Sequence, residues 1–175
     1  MPFSYYERLS ARDKATYRRS DELGAIPLPS PELLRPLVDG LREALAREDR
    51  RVVEAVASVL CRGLTRLLEL PAVQIEVLAV RRSSRFSELH GLYTRDEGRV
   101  PKIKLWMRTA RHRRVVAFRA FLRTLIHELG HHIDYERLGL EDSFHTEGFF
   151  RRESSLFRQL VPDEPSTLAR RPRGR

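Results

Sequence analysis

The chain has 175 residues, 41% of them hydrophobic and 33% charged, which excludes a wholly disordered chain and a membrane-embedded one and fits one globular domain. No apolar run approaches the roughly 20 residues of a transmembrane helix, and the single cysteine, Cys61, can neither close an internal disulfide nor build a cysteine-based zinc site, which points to a reducing cytoplasm. The net charge of +9 invites a nucleic-acid partner, although only Lys14, Lys102 and Lys104 are lysines and the rest of the basicity is arginine.

Met1–Ser10 carries no charged segment followed by an apolar one, so no secretory signal is expected. Tyr5 to Leu23 is charged with scattered apolar residues and predicts a short surface helix. The three prolines of Ile26 to Pro31 mark a linker, so residues 1–30 read as a helical arm plus linker. Ser30-Pro31 suits a helix start, serine capping and proline in the first turn. From there Leu33, Leu34, Leu37, Val38, Leu41 and Leu45, then Val52, Val53, Val56, Val59, Leu60, Leu64, Leu67 and Leu68, recur at helical spacing and predict a helical pair broken near Glu48 to Arg50. Cys61 falls on the apolar face, as a core residue.

After Pro71 the pattern changes to period two. Val73 to Val80 predicts one strand, Ser87 to Thr94 a second ending in the turn Arg95-Asp96-Glu97-Gly98, and Val100 to Met107 a third. In the third, Ile103, Leu105 and Met107 alternate with Lys102, Lys104 and Trp106. Pro101 lacks a donor N–H and argues for a sheet edge. A long helix is expected from about Arg113 to Leu138, a loop after Gly139, and a last helix over Phe149 to Leu160. The fold class is therefore α+β, with a small, mostly antiparallel sheet and one core domain over residues 31–165. The remaining tail, 166–175, contains Arg170, Arg171, Arg173 and Arg175, which supply +4 of the +9 and read as solvated chain or as a phosphate-binding tail.

The long helix contains His127-Glu128-Leu129-Gly130-His131, an HExxH. Histidines four apart share one helical face and can reach one metal, while the adjacent glutamate is placed to act as general base. Phe118, Phe121, Leu122, Leu125 and Leu129 cluster on one side. His127 and His131 fall on the other, among Ala120, Thr124 and Asp134. A catalytic zinc needs a third protein ligand. His145, Glu147 and Glu153 follow His131 by 14, 16 and 22 residues, and His145 is favoured by ligand preference and by its place before a helix. Asp134 reads equally as an outer partner of a ligand histidine or as a surface acid, and Tyr135 as an amphipathic surface tyrosine that could also donate to an oxyanion. His132 points to the apolar side as a packed, hydrogen-bonded residue. His90 and His112 show no ligand spacing.

The HELGH helix, the strand before it and the downstream His145 and Phe149 resemble the SprT-like zinc metalloproteases, whose pattern is HExxH followed by HGxxF. The resemblance covers about Val100 to Leu160 and carries His127, Glu128, His131, His145 and Phe149. Thr146 stands where that family has glycine, and the cysteine-based zinc ribbon often found there is missing. The longer run HELGHHIDY followed by SFHTEGFFRRESSL is similar to a group of uncharacterised bacterial zincin-like proteins. The resemblance implies a zincin-like fold and a zinc metallopeptidase with His127, His131 and His145 as ligands and Glu128 as base. The substrate is expected to be protein or peptide, held as an added strand on Val100 to Met107. Two other classes stay open from sequence alone: a non-catalytic module stabilised by zinc, and a nucleic-acid binder whose proteolysis is confined to DNA-bound proteins. No membrane partner is expected.

Overall fold

The leucine and valine periodicity becomes two packed helices, α2 (Arg35–Ala46) and α3 (Arg50–Leu67), in a computed structural model that describes residues 3–80 and 91–162. The break falls where Glu48 takes a left-handed φ of 57° and Asp49 restarts the helix, its carboxylate accepting from the backbone N–H groups of Arg51 and Val52. Leu41, Val53, Leu60, Cys61 and Leu64 are fully buried in the core. The expected Ser30 cap is not made: Ser30 is itself left-handed with no capping bond, and a 3₁₀ turn over Pro31–Leu34 delays α2 to Arg35.

The N-terminal segment is no separate arm. Its helix α1 (Ala11–Glu22), capped by Ser10, buries Thr16, Tyr17 and Ser20 and packs against α5 (Glu147–Leu160). The proline-rich linker buries Ile26 and Leu28. Gln159 of α5 fixes it by accepting from Leu28 N–H at 2.7 Å and donating to the Ile26 carbonyl at 3.0 Å.

The sheet corrects two expectations. Strands β1 (Gln74–Val80), β2 (Gly91–Thr94) and β3 (Lys102–Arg108) lie in the order β1-β3-β2, with β1 parallel and β2 antiparallel to β3. The sheet is thus mixed rather than mostly antiparallel, and the third strand is central rather than an edge. Pro101 does not prevent this because it sits just before the ladder, where only its carbonyl is needed, accepting from Gln74 N–H at 2.8 Å. The alternation holds: Ile103, Leu105 and Met107 are buried, Lys102, Lys104 and Trp106 half-buried.

Residues 109–117 then fold back along β3, Val116 N–H donating to the Met107 carbonyl at 2.8 Å. The long helix α4 (Phe118–Glu136) therefore starts five residues later than the apolar pattern suggested and packs under β2 and β3. Helix α5 begins two residues earlier than expected, at Glu147. No helix among the described residues is long and apolar enough to cross a membrane. His90, the first part of the Ser87 to Thr94 strand and the arginine tail lie outside the described residues.

Candidate metal centre

His127 and His131 project from successive turns of α4, and the loop before α5 brings His145 against both. His145 Nε2 lies 3.0 Å from His127 Nε2 and 3.2 Å from His131 Nε2, and the three nitrogens form a group spanning no more than 4.8 Å. Two Zn–N bonds of about 2.0–2.1 Å at a tetrahedral angle separate their nitrogens by about 3.3–3.4 Å, so the spacing suits a small N-liganded cation.

The far side of two rings fixes which nitrogen carries the proton. Glu153 Oε2 accepts from His127 Nδ1–H at 3.0 Å, while its Oε1 accepts from Arg123 Nη1 at 2.9 Å. Ser143 Oγ, 2.7 Å from His131 Nδ1, gives its own proton to Asp134 Oδ2 at 2.8 Å and so can only accept from the ring. Both Nε2 atoms are left with lone pairs aimed at one point, the arrangement of outer partners that orients metal-binding histidines. Burial, followed by repulsion from His127 and His145, pushes the His131 pKa down to about 3; burial and then His127 lower that of His145. Both shifts favour the neutral imidazole, the form that can ligate a metal. Burial alone would raise the Glu153 carboxyl, but bonds from His127 and Arg123 hold it below the usual range, as an anion on the far side of His127.

The outer network runs deep. Asp134 is fully buried and its Oδ1 accepts from Arg152 Nη2 at 2.8 Å; Arg152 also reaches Ser20 Oγ at 3.0 Å and the carbonyls of Ser20 and Leu23 at the end of α1. Thr146 caps α5 by accepting from Phe149 N–H at 2.9 Å and lies 3.2 Å from Ser20 Oγ. At φ −86° it needs none of a glycine's freedom. Beneath the histidines lies Phe149, its ring centroid 4.9–5.2 Å from those of all three imidazoles. Gly130 makes room for it, since a Cβ there would fall 2.9 Å from Phe149 Cζ.

Glu128 points from α4 toward β2. It is only 6% exposed, and burial pushes its pKa up to about 7, opposed by His127 and by a hydrogen bond from the Tyr93 backbone. Gly91 is what lets the carboxylate sit there: a Cβ at that position would lie 2.4 Å from Glu128 Oε1. Gly91, Leu92, Tyr93, Glu128, Tyr135 and the three histidines line an open cleft of about 300 Å³.

No protein-family model matches the chain, nor does any curated protein or solved structure.

Of the residues singled out by sequence, His127, His131, His145 and Glu128 share this cleft. Glu153 bonds His127 Nδ1, on the side of that ring away from the histidine group, and Glu147 is exposed in the first turn of α5, apart from the group. Asp134 is no surface acid. Tyr135 is half-buried beside the histidines, stacked on Tyr93 and donating to Asp142 Oδ1 at 3.2 Å. His132 is buried with both nitrogens used, against Tyr93 Oη at 3.1 Å and the Pro71 carbonyl at 3.0 Å. His112 is exposed in the turn after β3. Ser143, Arg152 and Gly91 are the residues that sequence reasoning missed. No local pattern marks the first two, and a lone glycine opening a strand signals a close approach only once its partner is known.

Proposed function

We propose that this chain is a zinc metallopeptidase in which His127, His131 and His145 hold the ion and Glu128 is the general base. The observation that carries the reading is the convergence of three imidazole nitrogens beside a buried carboxylate in an open cleft. A closed structural zinc site would need a fourth protein ligand, and the group found among the described residues has three. Zinc held there would supply an acidified water and polarise a substrate carbonyl.

The chain's own groups do the rest. Glu128, buried beside the histidines, can take a proton from water and return it to the leaving amine. Its position is fixed by the Tyr93 N–H and by the gap at Gly91. Strand β2 pairs with β3 along one side, and its opposite side borders the cleft, so an extended substrate would add there and not on the central strand Lys102–Arg108. Such a mode selects unfolded or flexible protein segments.

The test combines metal content with one conservative change. Protein purified without chelator should carry about one zinc per chain. Glu128→Gln should retain zinc and melting temperature while losing at least about 100-fold in hydrolysis of an unstructured protein. Equal rates for both proteins, or a chain that takes up no zinc when offered it, would overturn the proposal.

A further inference from the structure

A second cavity, of about 290 Å³, opens on α4 just before the histidines. Its walls are the end of β3 (Leu105, Trp106), the returning segment (Val115, Val116) and the helix residues Ala120, Phe121 and Thr124. At 100° per residue Ala120, Thr124, His127 and His131 fall within about 60° of one another, so the cavity and the metal group occupy one stripe of the helix. Thr124 and Ala120 precede His127 by about 4.5 and 10 Å along the axis. In an extended chain rising about 3.3 Å per residue, that is one to three residues.

The chemistry of the walls limits the occupant. Most are apolar. The one charged residue, Arg108, already donates to Glu48 and to the Arg113 carbonyl, so no free charge awaits a ligand. The volume is at the lower end for a small-molecule site and suits one side chain.

We infer that this cavity is the specificity pocket of the proposed peptidase, receiving a large uncharged side chain, aliphatic or aromatic, one to three residues from the bond that is cut. The inference rests on the peptidase reading for its substrate and on the cavity alone for its selectivity.

Two arms separate these. In the first, the full-length zinc-loaded chain cleaves a randomised peptide library and the cut sites are mapped by mass spectrometry. Leu, Met and Phe should be enriched at one fixed position, and Ala120→Trp, which fills the cavity from a non-catalytic position, should shift that position to Gly and Ala. For a single peptide with Leu there, kcat/KM should fall at least tenfold relative to that of its Ala counterpart. In the second arm, immobilised Glu128→Gln protein retains peptides from the same library, which should show the same preference and lose it with Ala120→Trp added. Ala120→Leu, a smaller filling, should move both in the same direction.

Cleavage without a preference that Ala120→Trp moves would overturn the pocket and leave the peptidase standing. Apolar-selective retention without any cleavage would uphold the pocket and remove the peptidase. Retention and cleavage both indifferent to the side chain would overturn the inference outright.

Discussion

Arg152→Met tests the buried scaffold behind the histidines and needs no substrate. The change keeps an unbranched stem but removes the guanidinium, leaving the Asp134 carboxylate, fully buried, with Ser143 as its remaining donor. It also frees the Ser20 and Leu23 carbonyls that Arg152 holds. Breaking one side of a buried ion pair costs about 3–5 kcal/mol. For a domain of this size each kcal/mol lowers the melting temperature by about 2–4 °C, which predicts a drop of about 6–20 °C by calorimetry on the metal-free protein. The double variant Asp134→Leu/Arg152→Met removes both charges and should recover a large part of that loss, giving non-additivity well above about 0.5 kcal/mol. Because Asp134 orients Ser143 and hence His131, Arg152→Met should also weaken zinc by about 10–100-fold in a chelator competition. A drop below about 2 °C, with the double variant merely summing the singles, would show that the network carries neither stability nor orientation.

The remaining predictions are shorter. His145→Ala should weaken zinc beyond the about 10–100-fold expected for Glu153→Gln, and Glu147→Ala should leave affinity unchanged; the reverse order in the same chelator titration would make Glu153 the third ligand. Gly91→Ala places a Cβ 2.4 Å from Glu128 Oε1 and displaces the carboxylate by about 1 Å, enough to cost about 100-fold in rate. Gly91 is absent from the positive-φ glycines, so alanine fits the backbone, and zinc content and melting should hold; a wild-type rate would mean Glu128 is not the base. Cys61, fully buried with its thiol pushed up to about 12 by burial, should resist a disulfide reagent in the native protein and react once per chain after denaturation. Rapid native labelling would contradict the packing of α3.

What could be read from sequence was whatever one element decides by itself. The helical pair, the burial of Cys61, the alternation of β3, the inward turn of His132 and the shared face of His127 and His131 follow from periodicity within a single segment. Errors, and readings that sequence left open, came where a second element intervenes. Pro101 argues for an edge only while its missing N–H is assumed to fall inside the ladder, and β3 starts one residue later. Asp134 looks like a surface acid on a helical wheel because the wheel does not contain Arg152 or the loop carrying Ser143. Glu153 has the chemistry of a zinc ligand, and only the orientation of the His127 ring puts it behind Nδ1 instead of beside Nε2.

The clamp between α1 and α5 also sets when the centre can exist. Ser20 meets Thr146, Asp21 receives the Gly148 N–H, and Arg152 reaches back to Ser20 across sequence separations of 126 to 132 residues. Contacts so distant in sequence close late, because the entropy of a long loop must be overcome before they return anything. While the chain is being synthesised, HELGH emerges well before α5, so its two histidines spend that interval without His145 and without the arginine that locks Asp134.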